Sequence, residues 1–301
     1  MQVVDQRVTD NYSLYCADAA EVLPGLPTDS IHLSVFSPPF QSLYVYSDTE
    51  RDLGNCASSE EFWEHFSFII RELLRVTVPG RHCCVHVSQI ATTLVNHGVI
   101  GLQDFRGETI RAFTAGGFIY HGEVCIDKNP QAQAIRTHAK GLLFNQLRKD
   151  SSWSRPALAD YVVVFRKPGI NPIPVKPGMT NDEWIEWAHP VWYNIREANT
   201  LNGREARGEE DERHICPLQL PVIERCVQLW SNEGETVLSP FAGIGSEGYV
   251  SVGLNRRFIG VELKPEYYHV AVRNLEKVPV LRVPPAVPVP EPVDAAWIED
   301  I

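Results

Sequence analysis

Gly243, Gly245 and Gly248 stand in the spacing G-x-G-x-x-G within SPFAGIGSEG, residues 239–248. Taken alone, such a spacing lets backbone approach a dinucleotide pyrophosphate closely, with an acid about 20 residues on for the ribose. Glu262, in FIGVEL, stands where that acid belongs. Far upstream, IHLSVF (31–36) runs into Ser37-Pro38-Pro39-Phe40. That tetrapeptide suits activation of an amino group on a nucleobase ring, a poor nucleophile because its lone pair is delocalised into the ring. The Ser37 hydroxyl and the Pro38 carbonyl can both accept its hydrogens and favour a more tetrahedral nitrogen. Two successive prolines keep the backbone extended and stiff, which fixes that carbonyl. Phe40 can stack on a base taken out of a duplex.

In open α/β sheets ligands gather at the carboxyl ends of strands, so a glycine loop after one strand and SPPF after another would face one crevice. The electrophile that fits is the sulfonium methyl of S-adenosylmethionine, whose ribose hydroxyls suit Glu262. Asp18, ending the first strand, could reach the adenine amino group of that cofactor and could equally cap the AAEVL helical turn. A nicotinamide-dependent oxidoreductase would use GIGSEG and Glu262 yet leave SPPF idle, and too little chain follows Glu262 for the rest of a dinucleotide fold. A non-catalytic DNA-binding module would need neither carboxylate. Cytosine C5 methylation uses a nucleophilic cysteine, and the chain has no Pro-Cys dipeptide.

The elements that must position these groups read as alternating strands and helices. YSLYC and IHLSVF are strands. Ser58 and Glu61 form a capping box for a helix through FWEHFSFIIRELLRV, with Phe62, Phe66, Ile69, Ile70 and Leu73 on one face and Pro79-Gly80 as its stop. HCCVHVS, FIYHGEVCI and YVVVF (161–165) are further strands, with a helix across ETIRAFTA. A helix entered through Pro217 or Pro221, strand ETVLS, the glycine loop, a helix over EGYVSVGL, strand FIGVEL and helix PEYYHVAVRNLEK complete the order. This alternation predicts a mostly parallel sheet covered on both faces. His82, Cys84 and His86 share one face of their strand, but a structural zinc site needs a fourth ligand, so they read as buried strand residues and no metal is expected.

Composition sets outer bounds. With 301 residues, 44% hydrophobic and 22% charged, the chain suits one α/β domain carrying an insertion. Its start, MQVVDQRVTD, lacks a signal-peptide pattern and no apolar run is long enough to span a membrane, so a cytoplasmic protein without a membrane partner is expected. Seven cysteines without C-x-x-C read as reduced thiols. The net charge is −11, yet residues 128–176 hold nine Lys/Arg against Asp150 and Asp160, a net of +7 that leaves −18 for the remainder. Such a basic stretch can steer a polyanion, and Lys128, Arg148, Lys149 and Arg155 are the candidate DNA contacts.

The residues also carry a family likeness. YCADAAEVL, DSIHLSVFSPPF, CPLQLPVIE, SPFAGIGSEG and RRFIGVELKPEYY resemble the amino-methylating DNA methyltransferases of the permuted β class, in which the catalytic motif precedes the cofactor loop. ERDLGN (50–55) and KDSSWSR…ADYVVVFRKPG (149–169) are similar to the orphan site-specific methylases of phages and prophages. The resemblance implies a Rossmann-like S-adenosylmethionine-dependent methyltransferase fold with an inserted target-recognition region. It implies that Ser37, Pro38, Pro39 and Phe40 are catalytic. It assigns Asp18, Pro217, Leu218, Pro240, Phe241, Ala242, Gly243, Gly245, Ser246 and Glu262 to the cofactor. Many relatives have Asp-Pro-Phe where this chain has Ser239-Pro240-Phe241, which removes a carboxylate near the methionine end of the cofactor. The implied layout is a catalytic half over 1–127 and a basic segment with the target-recognition insertion over 128–212. A cofactor half over 213–277 and a disordered Pro-rich tail over 278–301 follow. Double-stranded DNA is the implied partner, a homodimer could use the same insertion, and Trp184, Trp187 and Trp192 either pack a small subdomain or stack in DNA. Ser37 at the head of the tetrapeptide resembles cytosine-N4 enzymes, while the whole-chain likeness leans slightly to adenine N6.

Overall fold

A computed structural model describes residues 3–40, 58–92, 98–131, 148–153, 155–202 and 217–279, with the single positions 53, 56, 94 and 133. The strands, in chain order, are β1 (Asp5–Val8), β2 (Tyr12–Cys16), β3 (Ile31–Phe36), β4 (Thr77–Ser88), β5 (Ile90–Thr92), β6 (Gly101–Gln103), β7 (Ile119–Ile126), β8 (Asp160–Arg166), β9 (Val191–Trp192), β10 (Thr236–Ser239) and β11 (Arg257–Glu262). The helices are α1 (Ala19–Val22), α2 (Ser59–Val76), α3 (Phe105–Ala115), α4 (Asn181–Trp187), α5 (Leu220–Trp230), α6 (Ser246–Gly253) and α7 (Pro265–Glu276).

β3 is buried at every position but His32 because it lies inside the sheet and is covered on both faces. Among the described residues one sheet runs β1-β2-β11-β10-β3-β4-β8-β7-β9, and β5 and β6 form a separate pair. From β2 to β4 all neighbours are parallel, and β8 is antiparallel to both β4 and β7. Chain order and sheet order differ: the late strands β10 and β11 insert between the early strands β2 and β3.

Side-chain alternation divides the core in two. Cys83, Val85 and Val87 face α2 and α3, meeting Phe62, Phe66, Ile69, Ile70, Leu73, Phe105 and Phe113. Leu33, Val35 and Cys84 face α5, α6 and α7, meeting Val222, Ile223, Cys226, Val252, Tyr268 and Leu275. The result is the three-layer Rossmann-like architecture expected of the sequence.

Ser58 caps α2, its Oγ accepting from Glu61 N at 3.2 Å, which is the serine half of the expected capping box. The end of α2 departs from the expectation. The helix stops at Val76 and passes straight into β4, so Pro79-Gly80 lies within the strand. The physical reason is a bulge: Ile31 pairs with Thr77 but Leu33 already pairs with His82. Gly80 takes φ +75°, and a Cβ there would lie 2.5 Å from Asn171 N, so the bulge admits the segment after β8.

That segment, part of the insertion expected within 128–212, behaves as a strap. It crosses the amino ends of the parallel strands, where Arg81 Nη1 donates to Ile173 O at 3.2 Å and Asn232 Oδ1 accepts from Lys176 N at 2.9 Å. It then climbs through α4 to β9, which pairs with the carboxyl end of β7. Trp192 is fully buried, and its indole donates to Trp187 O at 2.9 Å. The Arg225 guanidinium lies 5.5 and 5.3 Å from the Trp187 and Trp192 ring centroids and pairs with Glu186 at 2.7 Å. Two of the three tryptophans therefore fasten the strap, while Trp184 is 57% exposed. The helix that follows has Gln219 as its cap and Pro221 in its first turn, so Pro221 and not Pro217 enters it. Cys216 and residues 280–301 of the Pro-rich tail lie outside the described residues, and the six described cysteines are free thiols.

Candidate active site at the carboxyl ends of the strands

β2, β11, β10 and β3 are parallel neighbours, so the segments leaving their carboxyl ends share one edge of the sheet. Asp18, Glu262, the 239–248 loop and the Ser37–Phe40 tetrapeptide are those segments. The fold thus brings the two halves of the sequence signature together.

Glu262 is the hub of the glycine-loop side. Its Oε2 accepts from Gly243 N at 2.8 Å, its Oε1 from Lys264 N at 2.9 Å, and its backbone oxygen from Ala17 N at 3.0 Å. One residue therefore fixes the glycine loop, its own turn and the end of β2. Asp18 is the N-cap of α1, accepting from Ala20 N at 2.9 Å. Gly243 has φ +52°, and an added Cβ would meet nothing within 4 Å, so its backbone borders open space. Gly245 has φ +85°, and a Cβ there would strike Leu275 and Ala271 of α7 at 2.8 and 3.0 Å. Gly248 is needed for packing alone, since its Cβ would lie 2.6 Å from the Phe258 ring.

Around this loop Pro240 and Ala242 are buried, while the Phe241 ring turns toward Phe36 and Phe66, with centroids 5.8 and 6.0 Å away. Pro217 and the buried Leu218 lead into α5. Ser239 and Ser246 are buried, and neither Oγ has a hydrogen-bond partner among the described residues. A buried hydroxyl without a partner costs about 1–3 kcal/mol, so polar groups of a bound molecule fit there.

On the other side of the crevice, Pro38 is buried and Phe40 is half-buried, its ring 5.4 Å from that of Phe105. Ser37 Oγ lies 3.3 Å from His86 Nδ1 and 3.2 Å from His86 O. His86 Nε2 is 3.2 Å from Asp160 Oδ2, and Lys128 Nζ is 2.5 Å from the same oxygen. The Asp160 carboxyl is largely buried, which alone would raise its pKa, but the hydrogen bond with His86 and the Lys128 ammonium beside it hold it well below the usual range.

Lys128 is expected from the sequence to contact phosphate, and here the structure corrects the expectation. Its side chain is 7% exposed and committed to Asp160, because β7 delivers it beside the first residue of β8. Nor is the basic stretch one patch. β8 runs antiparallel to β4 and carries Lys167 to the far end of the sheet, where its Nζ is 2.6 Å from Asp29. Arg148 and Lys149 are exposed. Arg155 is part-buried, its Nη1 has no partner among the described residues, and burial lowers its pKa. Arg136 and Lys140 lie outside the described residues.

Three site residues escaped the sequence reading. His86 was visible only as part of a tempting His/Cys cluster, and Asp160 only as the residue before YVVVF. Among the described residues no three His, Cys, Asp or Glu stand together as metal ligands. His82 instead packs on His121 and Trp230, and burial foremost pushes its pKa down to about 3. The third is Glu247, in the first turn of α6. Burial, reinforced by the Glu262 charge and opposed by its backbone hydrogen bond, pushes it up to about 8. The folded protein therefore keeps a proton that the unfolded chain has released above about 4.5, and stability falls as pH rises from there towards 8. Glu247→Gln removes this dependence. Its melting temperature should exceed that of the parent by several degrees at pH 8 and approach it at pH 5. A difference that is the same at both pH values would refute the assignment.

Comparison with known proteins agrees with this geometry. The DNA methylase family of the N6/N4 type matches residues 31–273. The Type II methyltransferase M.BglI of Bacillus subtilis is 29% identical over 88% of this chain and 85% of its own. Among solved structures, TTHA0409 of Thermus thermophilus, described as a DNA modification methylase and solved with S-adenosyl-L-methionine, is similar with a TM-score of 0.66. It is 25% identical, over 88% of this chain and 94% of that one. The cytosine-N4-specific PvuII DNA methyltransferase shares the fold, with a TM-score of 0.63 at 18% identity over 91% of this chain and 90% of its own. The matched stretch runs from β3 into α7 and contains both the SPPF end and the glycine loop, and the chain belongs to the N6/N4 DNA methylase family.

Proposed function

We propose that the protein methylates the exocyclic amino group of one base turned out of double-stranded DNA, at a specific sequence, with S-adenosylmethionine as donor. The observation that carries this is the placement of Ser37-Pro38 after β3 beside the glycine loop after the adjacent β10. When bound, S-adenosylmethionine supplies a methyl group on a cationic sulfur, open to attack by a nitrogen lone pair. The residues present fit it. Glu262 binds the ribose hydroxyls, and Asp18 takes the adenine amino group. Gly243 offers backbone without a side chain in the way, between the packed Pro240, Phe241 and Ala242 and the turn at Gly245. Ser239 and Ser246 have hydroxyls to satisfy at the methionine end, and Pro217 and Leu218 close the crevice from α5. Ser37 Oγ and the Pro38 carbonyl accept the two amino hydrogens, Pro39 stiffens the turn, and Phe40 stacks on the base.

The order of parts supports the permuted β class: β3 with the catalytic tetrapeptide precedes β10 and β11 in the chain yet follows them in the sheet. The catalytic half is then 1–127 and the cofactor half 213–277, joined through 128–212. For the base, the whole-chain likeness to the phage and prophage orphan enzymes leans slightly to adenine N6. Ser37 at the head of the tetrapeptide favours the second reading, cytosine N4.

DNA is held electrostatically by Arg148, Lys149 and Arg155, while Lys128 and Lys167 are committed to ion pairs. Replacing all three by Ala should flatten the log–log dependence of DNA affinity on salt by about two to three units of slope. An unchanged slope places the phosphate contacts elsewhere.

Sequence recognition is assigned to the upper part of the strap. Exposed Asn194, Arg196 and Asn199 follow β9 at the carboxyl edge, whereas 171–176 lie at the opposite end of the sheet. Sequencing DNA from cells that express the protein tests the whole reading. An N6-methyladenine mark at one short sequence is expected, and exchanging 168–212 with that of a relative of different specificity should move it. N4-methylcytosine would select the second reading, an active chimera marking the original site would remove recognition from the strap, and unmodified DNA would refute the function.

A further inference from the structure

Ser37, read as an acceptor for a base N–H, has one hydrogen of its own to place. Among the described residues two acceptors lie behind it: His86 Nδ1 at 3.3 Å and His86 O at 3.2 Å. The hydroxyl therefore points its hydrogen back into the protein and its lone pairs forward into the crevice. Behind His86, Asp160 Oδ2 stands 3.2 Å from Nε2 and is itself 2.5 Å from Lys128 Nζ. These three side chains are only 12%, 14% and 7% exposed, so the row is built into the protein and does not hang from its surface. An ionised Asp160 requires the Nε2–H tautomer, which turns the Nδ1 lone pair toward Ser37.

We propose that His86 is a positioning residue that drains the proton released by methyl transfer, acting through Ser37, with Asp160 and Lys128 holding its imidazole in the receiving tautomer. The proposal rests on the function given above. As the nitrogen–carbon bond forms, the carbon–sulfur bond breaks and sulfur keeps the electron pair. The base nitrogen then carries a positive charge and one hydrogen too many. That hydrogen passes to Ser37 Oγ, and the hydrogen already on Ser37 passes to His86 Nδ1. The methylated nitrogen is left neutral and the positive charge rests on the imidazole, facing Asp160. Water takes the proton from His86 before the next turnover. Lys128, spent on Asp160, keeps that carboxylate ionised throughout.

The test compares His86→Gln, His86→Ala and Asp160→Asn with the parent protein in single-turnover methylation of duplex DNA. His86→Gln keeps hydrogen-bonding atoms but cannot take a proton. It should lower the rate about 10- to 100-fold, at or below the low end for general bases because the cationic nitrogen is itself acidic. Affinities for S-adenosylmethionine and for DNA should stay within about twofold, which separates a transfer defect from a binding one. Added imidazole should restore His86→Ala at least severalfold. Independently of activity, the ¹⁵N spectrum of histidine-labelled protein, with His86→Gln for assignment, should show His86 protonated at Nε2 and bare at Nδ1. Asp160→Asn should abolish that preference. Parental rates in His86→Gln, a loss that follows cofactor affinity, the opposite tautomer, or failure of both His86→Gln and Asp160→Asn to fold would each overturn the proposal. If the parent protein leaves DNA unmethylated, the function itself falls, while the tautomer measurement still reads the geometry.

Discussion

Ser37→Ala lowers single-turnover methyl transfer about 100-fold or more, the usual loss on removing one aligned hydrogen-bonding group from a transition state. Phe40→Ala lowers it about 10- to 100-fold, through loss of a stacking platform worth about 1–3 kcal/mol per base. Neither should move S-adenosylmethionine affinity much, because both residues stand after β3 and the cofactor loop stands after β10. Phe40 also touches Phe105, so Phe40→Leu serves as the packing control: it keeps apolar contact and loses the stacking face. Equilibrium binding and single-turnover rates measured on the same preparations separate the two effects. Loss of cofactor affinity on the scale of a Glu262 variant would place the tetrapeptide at the wrong end of the crevice.

Glu262→Gln should weaken S-adenosylmethionine binding about 10- to 100-fold, the value of one or two hydrogen bonds to a charged acceptor. The carboxylate uses different oxygens for Gly243 N and Lys264 N, and an amide has only one oxygen to offer two N–H donors. Whichever way the amide turns, one backbone donor faces an NH₂ group. The loop therefore loses an anchor at the same time as the ribose loses a charged acceptor. Asp18→Asn, at a residue that also caps α1, should cost less, since asparagine caps about as well as aspartate. Calorimetric titration checks both. A Glu262→Gln protein that binds the cofactor as tightly as the parent would remove the acid from the site.

Much of this site could be read from the sequence because its parts are local. A buried strand followed by SPPF, a strand followed by a glycine loop, and a strand ending in Glu each announce themselves within ten residues. The open-sheet rule then places all three on one edge. What escaped was non-local. The partner of Ser37 lies 49 residues away on β4, and the partner of His86 a further 74 away on β8. Only the antiparallel pairing of those strands brings His86 and Asp160 together. The same reversal explains the fate of the basic stretch: β8 carries its charges from the site edge to the far edge, so a net charge counted along the chain does not describe a face. Pro79-Gly80 misled for a related reason. Proline and glycine ordinarily end a helix, but here they shape a bulge that the strap at Asn171 occupies. Glu247 gave no signal at all, because a glutamate in a first helical turn is ordinary until the fold buries it.

The paired ends of β3 and β10, as proposed, join a base amino group to a sulfonium methyl. Purified protein, duplex DNA and S-adenosylmethionine with a labelled methyl group test it directly, with the DNA digested to nucleosides after reaction. Label in N6-methyladenine, or in N4-methylcytosine under the second reading, is the predicted result, and Ser37→Ala should suppress it. Label in 5-methylcytosine, or DNA that stays unlabelled while the protein binds the cofactor, would contradict the account.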